Sequence, residues 1–558
     1  MSDHFNHSCL RLTAITLSIL TFCGSSYAQT QPPNAGSLLE QIERERELML
    51  PKRVEPRKEP LPQDLKEVPG LTVTAKSFRF NGNTIFSSEE LAPLLSEFLN
   101  RPIGFADLMR AADTVAEHYR KAGWVVRVYL PKQDITQGVI TIQVVEAVFG
   151  GAVFEGDPPT RVSKARIQSL IEFQQPVGEL LHNDKVDRGL LLADDLPGVI
   201  VSGSLIAGAA DGQSALGLRT ADEPFAQVDL SADNTASRST GAERATVNAA
   251  FASPFGYGDS VTATLSHTDG SDYARLAYSA PLGRDGIRVG LNTSHLKYKI
   301  VEGEFADEAI KGNSQTVGLE ISYPLLRSRL SNVYVQGTLD RKSFENKQAA
   351  DTTSDYEIDV AGLTFYGNLF DSLWGGGNNS FSLSASGGNP SVTTGDTVKK
   401  DNFTKLKYSL SRQQVITEAL SANIAINGQH ARETLDSSEK FSLGGSSGVR
   451  AYPSGEASGS SAKLVNVDLR WRVVPGVTAS VFYDWGRVKN RDNDPKTDRL
   501  TLKGGGMSIS WAVPDTALSL KAVWAHRDGE NPNPTDTGND QDGSLKKNRY
   551  WLSASYAF

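Results

Sequence analysis

This chain is short of the residues that most often carry chemistry or cross-links. Of its 558 residues only two are cysteines, Cys9 and Cys23. Both lie near the N-terminus, so the rest of the chain has neither a disulfide framework nor a thiol site. The eight histidines are scattered and show no metal-ligand spacing. Past the N-terminal segment there is no run of about 18 apolar residues, which excludes a bundle of membrane helices. Neither sign of charge dominates, with 57 basic against 65 acidic side chains, and only 39% of residues are hydrophobic. Nucleic acid is not among the expected partners. Low average hydropathy does not exclude a membrane β-barrel, where only alternate residues meet lipid.

What is present begins with residues 1–28, which read as a secretory signal. Arg11 supplies the positive charge, Leu12 to Phe22 the short apolar core, and Ser26-Tyr27-Ala28 the small residues of a cleavage site. The bulky Phe22 before Cys23 argues against lipoprotein processing. Residues 29–50 contain a mostly charged helix, GSLLEQIERERELM from 36 to 49, on which Leu38, Leu39 and Ile42 form a short apolar stripe. Such a helix is solvated or housed in a wet cavity. Residues 51–69 hold five prolines and many charges and read as an extended linker.

Residues 70–148 and 149–221 each follow the order strand, helix, helix, strand, strand. In the first unit Leu71–Phe80 reads as a strand, and Ser87-Ser88-Glu89-Glu90 as a capping box opening a helix with Leu91, Leu94, Leu95, Phe98 and Leu99 on one face. A second helix aligns Leu108, Ala112, Val115 and Tyr119. The β-rich runs Val125–Leu130 and Val139–Val145 follow. The second unit runs more weakly through Ala152–Phe154, Val162–Ile171, Lys185–Leu196, Val199–Ile206 and Ser214–Arg219.

From Phe225 to Phe558 apolar and polar residues alternate in segments of roughly ten. Val465, Val467, Leu469, Trp471 and Val473 share one face of a strand; Asn466, Asp468, Arg470 and Arg472 share the other. Charges on one face, Trp on the other and no helical layer to cover it predict an antiparallel transmembrane barrel over residues 222–558. Seventeen segments begin near 226, 243, 259, 272, 286, 314, 331, 355, 378, 403, 420, 440, 462, 477, 503, 516 and 547. Both barrel termini should finish on the periplasmic side, so the count should be even. Dropping the shortest segment, Lys440–Leu443, into a loop leaves sixteen. Short connections such as Pro281–Gly286, Val474–Gly476 and Val513–Thr516 then alternate with longer ones at 298–312, 342–354, 387–401, 431–461, 489–502 and 528–545. Tyr550, Leu552, Ala554, Tyr556 and Phe558 fall on the lipid face of the last strand. Export plus a barrel points to a Gram-negative outer membrane.

The 431–461 loop contains Gly448-Val449-Arg450-Ala451-Tyr452-Pro453, more glycine and apolar character than a freely solvated loop needs. Two strands on comes Phe482-Tyr483-Asp484-Trp485-Gly486, where alternation aims Asp484 into the lumen about 15–18 Å above a periplasmic turn. A loop of that length can reach it. Arg450 paired with Asp484 would hold the loop inside the pore; the alternative is two separately solvated charges. Gly444-Gly445-Ser446-Ser447-Gly448 lacks the Lys-Ser/Thr of a phosphate loop. Asp536, Asn539, Asp540 and Asp542 lack the twelfth-position Glu of a calcium loop and read as a solvated external loop. No metal site, cofactor site or Ser/His/Asp set stands out, and no enzyme activity is expected.

These motifs are similar to those of the transporter partner of two-partner secretion systems, the haemolysin/haemagglutinin secretion-activation family. Phe78-Arg79-Phe80-Asn81-Gly82-Asn83-Thr84-Ile85-Phe86 resembles the opening of a POTRA (polypeptide-transport-associated) domain. Asp195-Leu196-Pro197-Gly198-Val199 resembles the second POTRA of these transporters. Val449-Arg450-Ala451-Tyr452 resembles their Val-Arg-Gly-Tyr loop motif, and Phe482-Tyr483-Asp484-Trp485-Gly486 their Phe-x-Asp-x-Gly wall motif. The resemblance implies a loop–wall salt bridge important for secretion, a displaceable plug formed by the 36–49 helix, and a 16-stranded barrel preceded by two α+β POTRA domains. Ala451 departs from the family's Gly and would be strained if the position requires positive φ. The implied function is export of one unfolded partner exoprotein, an adhesin, haemolysin or other type, without nucleotide hydrolysis. The other expected associations are outer-membrane lipid and periplasmic chaperones. An exposed edge over Val125, Val126, Arg127, Val128, Tyr129 and Leu130 is the candidate substrate site, through strand addition. A barrel assembly factor is the alternative function, and a passive porin or receptor a third.

Overall fold

The computed structural model describes residues 32–45, 50–53, 72–395, 398–490 and 498–558. The expected signal segment, residues 46–49 of the expected plug helix and most of the expected linker lie outside them. Sixteen antiparallel strands close into a barrel, each pairing with its sequence neighbours and the last (Asn548–Ala557) with the first (Ala226–Asp233). All sixteen predicted segments are barrel strands. Lys440–Leu443 is not one of them; Phe441–Ser442 forms a small hairpin with Ser458–Gly459 inside the long loop.

The alternation works as lipid and lumen require. Val467, Leu469 and Trp471 point outward and are exposed to what would be acyl chains, while Asp468 between them is buried inside. Tyr550, Leu552, Tyr556 and Phe558 likewise line the outer face. Two of the expected external loops are mostly strand. The seventh and eighth strands, Ser331–Gln348 and Asp351–Asp371, stay paired almost to their tips, as Gln348 opposite Asp351 shows. The ninth, Gly377–Thr394, also outruns its expected end. Polar hairpins can continue a ladder above the lipid, where both faces are wet and the apolar alternation that marked the strands is no longer required.

The expected Leu71–Phe80 strand is broken, and its first part, Thr72–Thr74, pairs with Pro102–Gly104 in a small separate sheet. Both α+β units otherwise have the same three-stranded sheet, with its first strand parallel to its last and the remaining strand at an edge. In the first, Ser77–Asn81 pairs with Val139–Glu146, and Val126–Tyr129 forms the edge. In the second, Val148–Phe154 pairs with Gln213–Asp222, and Val199–Ala207 forms the edge. The Ser87–Glu90 capping box is present, but the helix it opens is only Ser88–Leu91 before a 3₁₀ stretch, Ala92–Phe98, takes over. Pro93 lacks the N–H that an α-helical bond there would need. The units join through Val125, whose N–H donates to Leu181 O at 3.1 Å and whose carbonyl accepts from Ala147 N–H at 3.0 Å.

The second unit is fixed across three periplasmic turns of the barrel. Gly198 and Leu196 pack against the turn at Ser253–Gly258, where a Cβ on Gly198 would come within 2.8 Å of Ser253 Cβ. Asp285 of the next turn accepts from Gln174 Nε2 at 2.7 Å and Arg188 Nη2 at 3.3 Å. Beside the third turn, Arg327 meets Asp195 at 2.7 and 2.8 Å, and Arg329 meets Asp187 at 2.7 and 3.0 Å.

Candidate functional site

The 432–460 loop turns back into the lumen, and its apolar residues explain why. Leu443, Val449, Ala451, Tyr452 and Ala457 are buried against Leu464, Phe482, Leu502, Ala525 and Trp551 of the wall. Burial of that area favours the inward position over solvation outside. The wall makes room with glycine. A Cβ on Gly504 would meet the Ala451 Cβ at 2.5 Å, and one on Gly486 would meet Leu443 at 2.8 Å. Ala451 is outside the set of positive-φ residues, so its departure from glycine carries no left-handed strain.

Arg450 and Asp484 come together at the centre of this seat. The Arg450 Nη2 donates to Asp484 Oδ1 at 2.7 Å, its Nε to Oδ2 at 2.8 Å, and its backbone N–H to Oδ2 at 3.0 Å. Asp484 is 0% exposed. The guanidinium lies 3.5 Å from the centre of the Phe482 ring. Three groups that sequence reasoning did not nominate complete the arrangement. Asp468 accepts from Arg450 Nη1 at 2.9 Å; Asn466 Nδ2 donates to Asp484 Oδ1 at 2.7 Å; Trp551 Nε1 donates to the Arg450 carbonyl at 2.8 Å. Asn466 and Asp468 stood on the recognisable polar face of their strand. Their role depends on register, with Asn466 opposite Asp484, which alternation alone does not fix.

A second attachment lies at the root of the loop. Glu439, 2% exposed, accepts from Lys342 Nζ of the seventh strand at 2.8 Å and from Lys405 Nζ of the tenth. Burial opposes its charge, but the two ammonium groups prevail and hold its carboxyl well below the usual range. Nearby, Tyr356 OH donates to Asp436 Oδ1 at 3.1 Å. The loop is therefore attached to two regions of the wall, the seventh, eighth and tenth strands at its root and the twelfth, thirteenth and sixteenth at its tip.

Between these attachments sits the N-terminal helix, Ala35–Arg44, capped by Asn34. Its lumen is less wet than its charge suggests. Leu38 and Leu39 pack on inward-facing Leu296, Tyr298, Phe344, Tyr356 and Ile358. Among the described residues the helix's polar links are Ala35 N–H to Asn346 Oδ1 at 2.9 Å, Ser437 Oγ to Asn34 Oδ1 at 2.9 Å, Arg44 to the Ser442 carbonyl, and an ion pair at its C-terminal end, Arg244 Nη1 to Glu45 Oε2 at 2.7 Å.

The Asp540 region is not a solvated loop. Asp540 is 0% exposed and accepts from Arg527 at 2.6 Å and from Arg549 at 2.8 Å; Asp542 pairs with Arg549 at 3.0 Å. Those arginines occupy the barrel strands on either side, and the pairing depends on the loop folding back over them. The same loop reaches the inward one through Glu456, which accepts from Asn531 Nδ2 at 2.6 Å and Gln541 N–H at 3.0 Å. Burial pushes the Glu456 carboxyl up to about 8 against those two donors.

Of the candidate edge, Val126–Tyr129 is at the border of its sheet, whereas Val125 is engaged by the second unit.

Residues 212–511 match the family model described as haemolysin secretion/activation protein ShlB/FhaC/HecB. The chain belongs to that family. Residues 73–147 also match the ShlB-type POTRA domain. The ShlB/FhaC/HecB-family chain is 26% identical over 490 residues to the heme/hemopexin transporter protein HuxB of Haemophilus influenzae, covering 84% of each. It is 22% identical over 487 residues to the outer membrane transporter CdiB of Dickeya dadantii, covering 82% of this chain and 83% of that one. Its fold is that of CdiB from Escherichia coli (TM-score 0.69, 20% identity, 89% and 93% covered). The fold is shared with BamA from Haemophilus ducreyi lacking POTRA domains 1–3 (TM-score 0.54, 13% identity, 88% and 100% covered). This family member is a two-partner secretion transporter of the outer membrane, with its POTRA domains in the periplasm.

Proposed function

We propose that the transporter moves one unfolded exoprotein through the barrel while the 432–460 loop stays attached to the wall and the Ala35–Arg44 helix leaves. The observation that carries this reading is the unequal hold on the two obstructions. The loop has two buried ionic attachments, at Arg450 and Glu439, whereas the helix rests on a short apolar stripe, a handful of hydrogen bonds and a single, more exposed ion pair, Arg244–Glu45. The edge from Val126 to Tyr129 pairs with an extended segment of the exoprotein by strand addition. Arg127 and Tyr129 alternate outward from that edge. Arg450 and Asp484 act as the loop–wall lock, with Val449, Ala451, Tyr452, Phe482 and Gly486 shaping its seat. The work is transport rather than catalysis, and folding of the exoprotein outside the cell biases it against return.

The test requires the cognate exoprotein, to be sought first among the neighbouring genes. Deleting the transporter should abolish surface appearance of the exoprotein and leave porin levels unchanged. Loss of many porins would instead favour barrel assembly, a role compatible with the BamA-like fold.

A further inference from the structure

We propose that the periplasmic mouth contains a site for an extended apolar peptide, partly occupied here by the chain's own Leu50–Pro51. The inference rests on the reading that the exoprotein crosses unfolded. A cavity of about 460 Å³ opens between the second POTRA unit and the base of the barrel. Leu170, Leu192, Leu196 and Pro197 line it from the POTRA side, and Tyr334 and Tyr366, stacked at 5.2 Å, from the barrel side, while the charged Arg166, Asp195 and Arg288 also border it. Leu50 and Pro51 form another part of its wall.

One buried amide reads the backbone of that segment. Asn368 Nδ2 donates to the Pro51 carbonyl at 2.7 Å. Its own orientation is set from behind, because Asn332 Nδ2 donates to Asn368 Oδ1 at 3.0 Å and Arg327 Nη1 to Asn332 Oδ1 at 3.0 Å. Arg327 in turn holds Asp195 of the Asp-Leu-Pro-Gly turn. Asn332 and Asn368 are 0% and 1% exposed. A buried donor requires an acceptor, and when Pro51 is displaced by another chain segment a backbone carbonyl of that segment can replace it. Any extended chain presents one, and apolar side chains beside it suit the leucines and stacked tyrosines. The site therefore takes an extended, apolar stretch of the exoprotein as the plug and its tether withdraw.

The test uses the purified full chain and a biotinylated peptide copying residues 46–55. The peptide should compete with the tether and bind saturably. Because the resident Pro51 loses the same bond, Asn368→Ala is scored in a chain that also carries Leu50→Asp, where it should weaken binding about fivefold, the effect of one lost buried hydrogen bond. Leu50→Asp, which weakens the resident segment, should strengthen it. Heat-modifiable migration confirms a closed barrel in both variants. Peptide binding that neither variant changes, or no binding by wild type or Leu50→Asp, overturns the site. Secretion by wild type is scored separately: continued secretion alongside failed peptide binding removes the site alone, whereas absent secretion strikes the transport reading.

Discussion

Arg450 grips Asp484 with three donors, two from the guanidinium and one from its own backbone, while Asp468 takes a fourth. Arg450→Ala would leave Asp484 buried with only Asn466 as a side-chain partner. Losing one member of such a pair costs roughly 3–5 kcal/mol. The expected result is a well-inserted barrel with a lower unfolding temperature and at least about tenfold less exoprotein at the surface. Arg450→Lys should fall between, since a lysine keeps the charge but neither the fork nor the stacking on Phe482. Immunoblots of secreted exoprotein and heat-modifiability gels measure both.

The seat of the loop depends on Gly504. Gly504→Ala should dislodge the tip, because the added methyl would lie 2.5 Å from Ala451 Cβ and 2.6 Å from the His526 carbonyl. The loop should become cleavable by external protease. Ala451→Gly should leave the tip seated, with a stability change of about 1 kcal/mol or less, and should restore Gly504→Ala only in part because the His526 contact remains.

Glu439 makes the loop root sensitive to acid. Its carboxyl is held below its ordinary 4.5, so the stabilisation is fully present above that pH and is lost as pH falls through the lower, folded-state value. Glu439→Gln should lower the unfolding temperature at neutral pH, with a cost on the order of 3 kcal/mol from the unpaired Lys405. Thermal scans in detergent should show wild type approaching the variant as the pH is lowered. A constant gap at every pH would refute the assignment.

Asp195 and Arg327 can be tested by exchange. Asp195→Arg or Arg327→Asp should loosen the second POTRA unit from the rim and reduce secretion, with roughly 3 kcal/mol lost at the buried arginine. The double exchange should recover part of both. Spin labels at Asp211 and Ser372 would report the distance, with the two native cysteines, Cys9 and Cys23, replaced by serine.

Barrel strand number, lipid and lumen faces, and the strand–helix order of the POTRA units were legible because each depends on local period and local turn chemistry. Alternation placed Asp484 and Asp468 inward without reference to any partner. What alternation cannot give is register and long-range pairing. Trp551 at the lock and Lys342 and Lys405 around Glu439 come from strands far along the chain, while Asn466 opposite Asp484 and Arg527 and Arg549 over Asp540 depend on strand register and on how the loop between them folds back. Charge in a segment likewise says nothing of its surroundings. The 528–545 loop read as solvated until its carboxylates met those arginines, and the plug read as wet until its leucines met the apolar patch in the lumen. The sequence by itself determined a hollow, lipid-embedded cylinder with two periplasmic units. Only closure of that cylinder decided which inward groups face one another across it, because burying a charge is tolerable only where folding supplies its counter-charge.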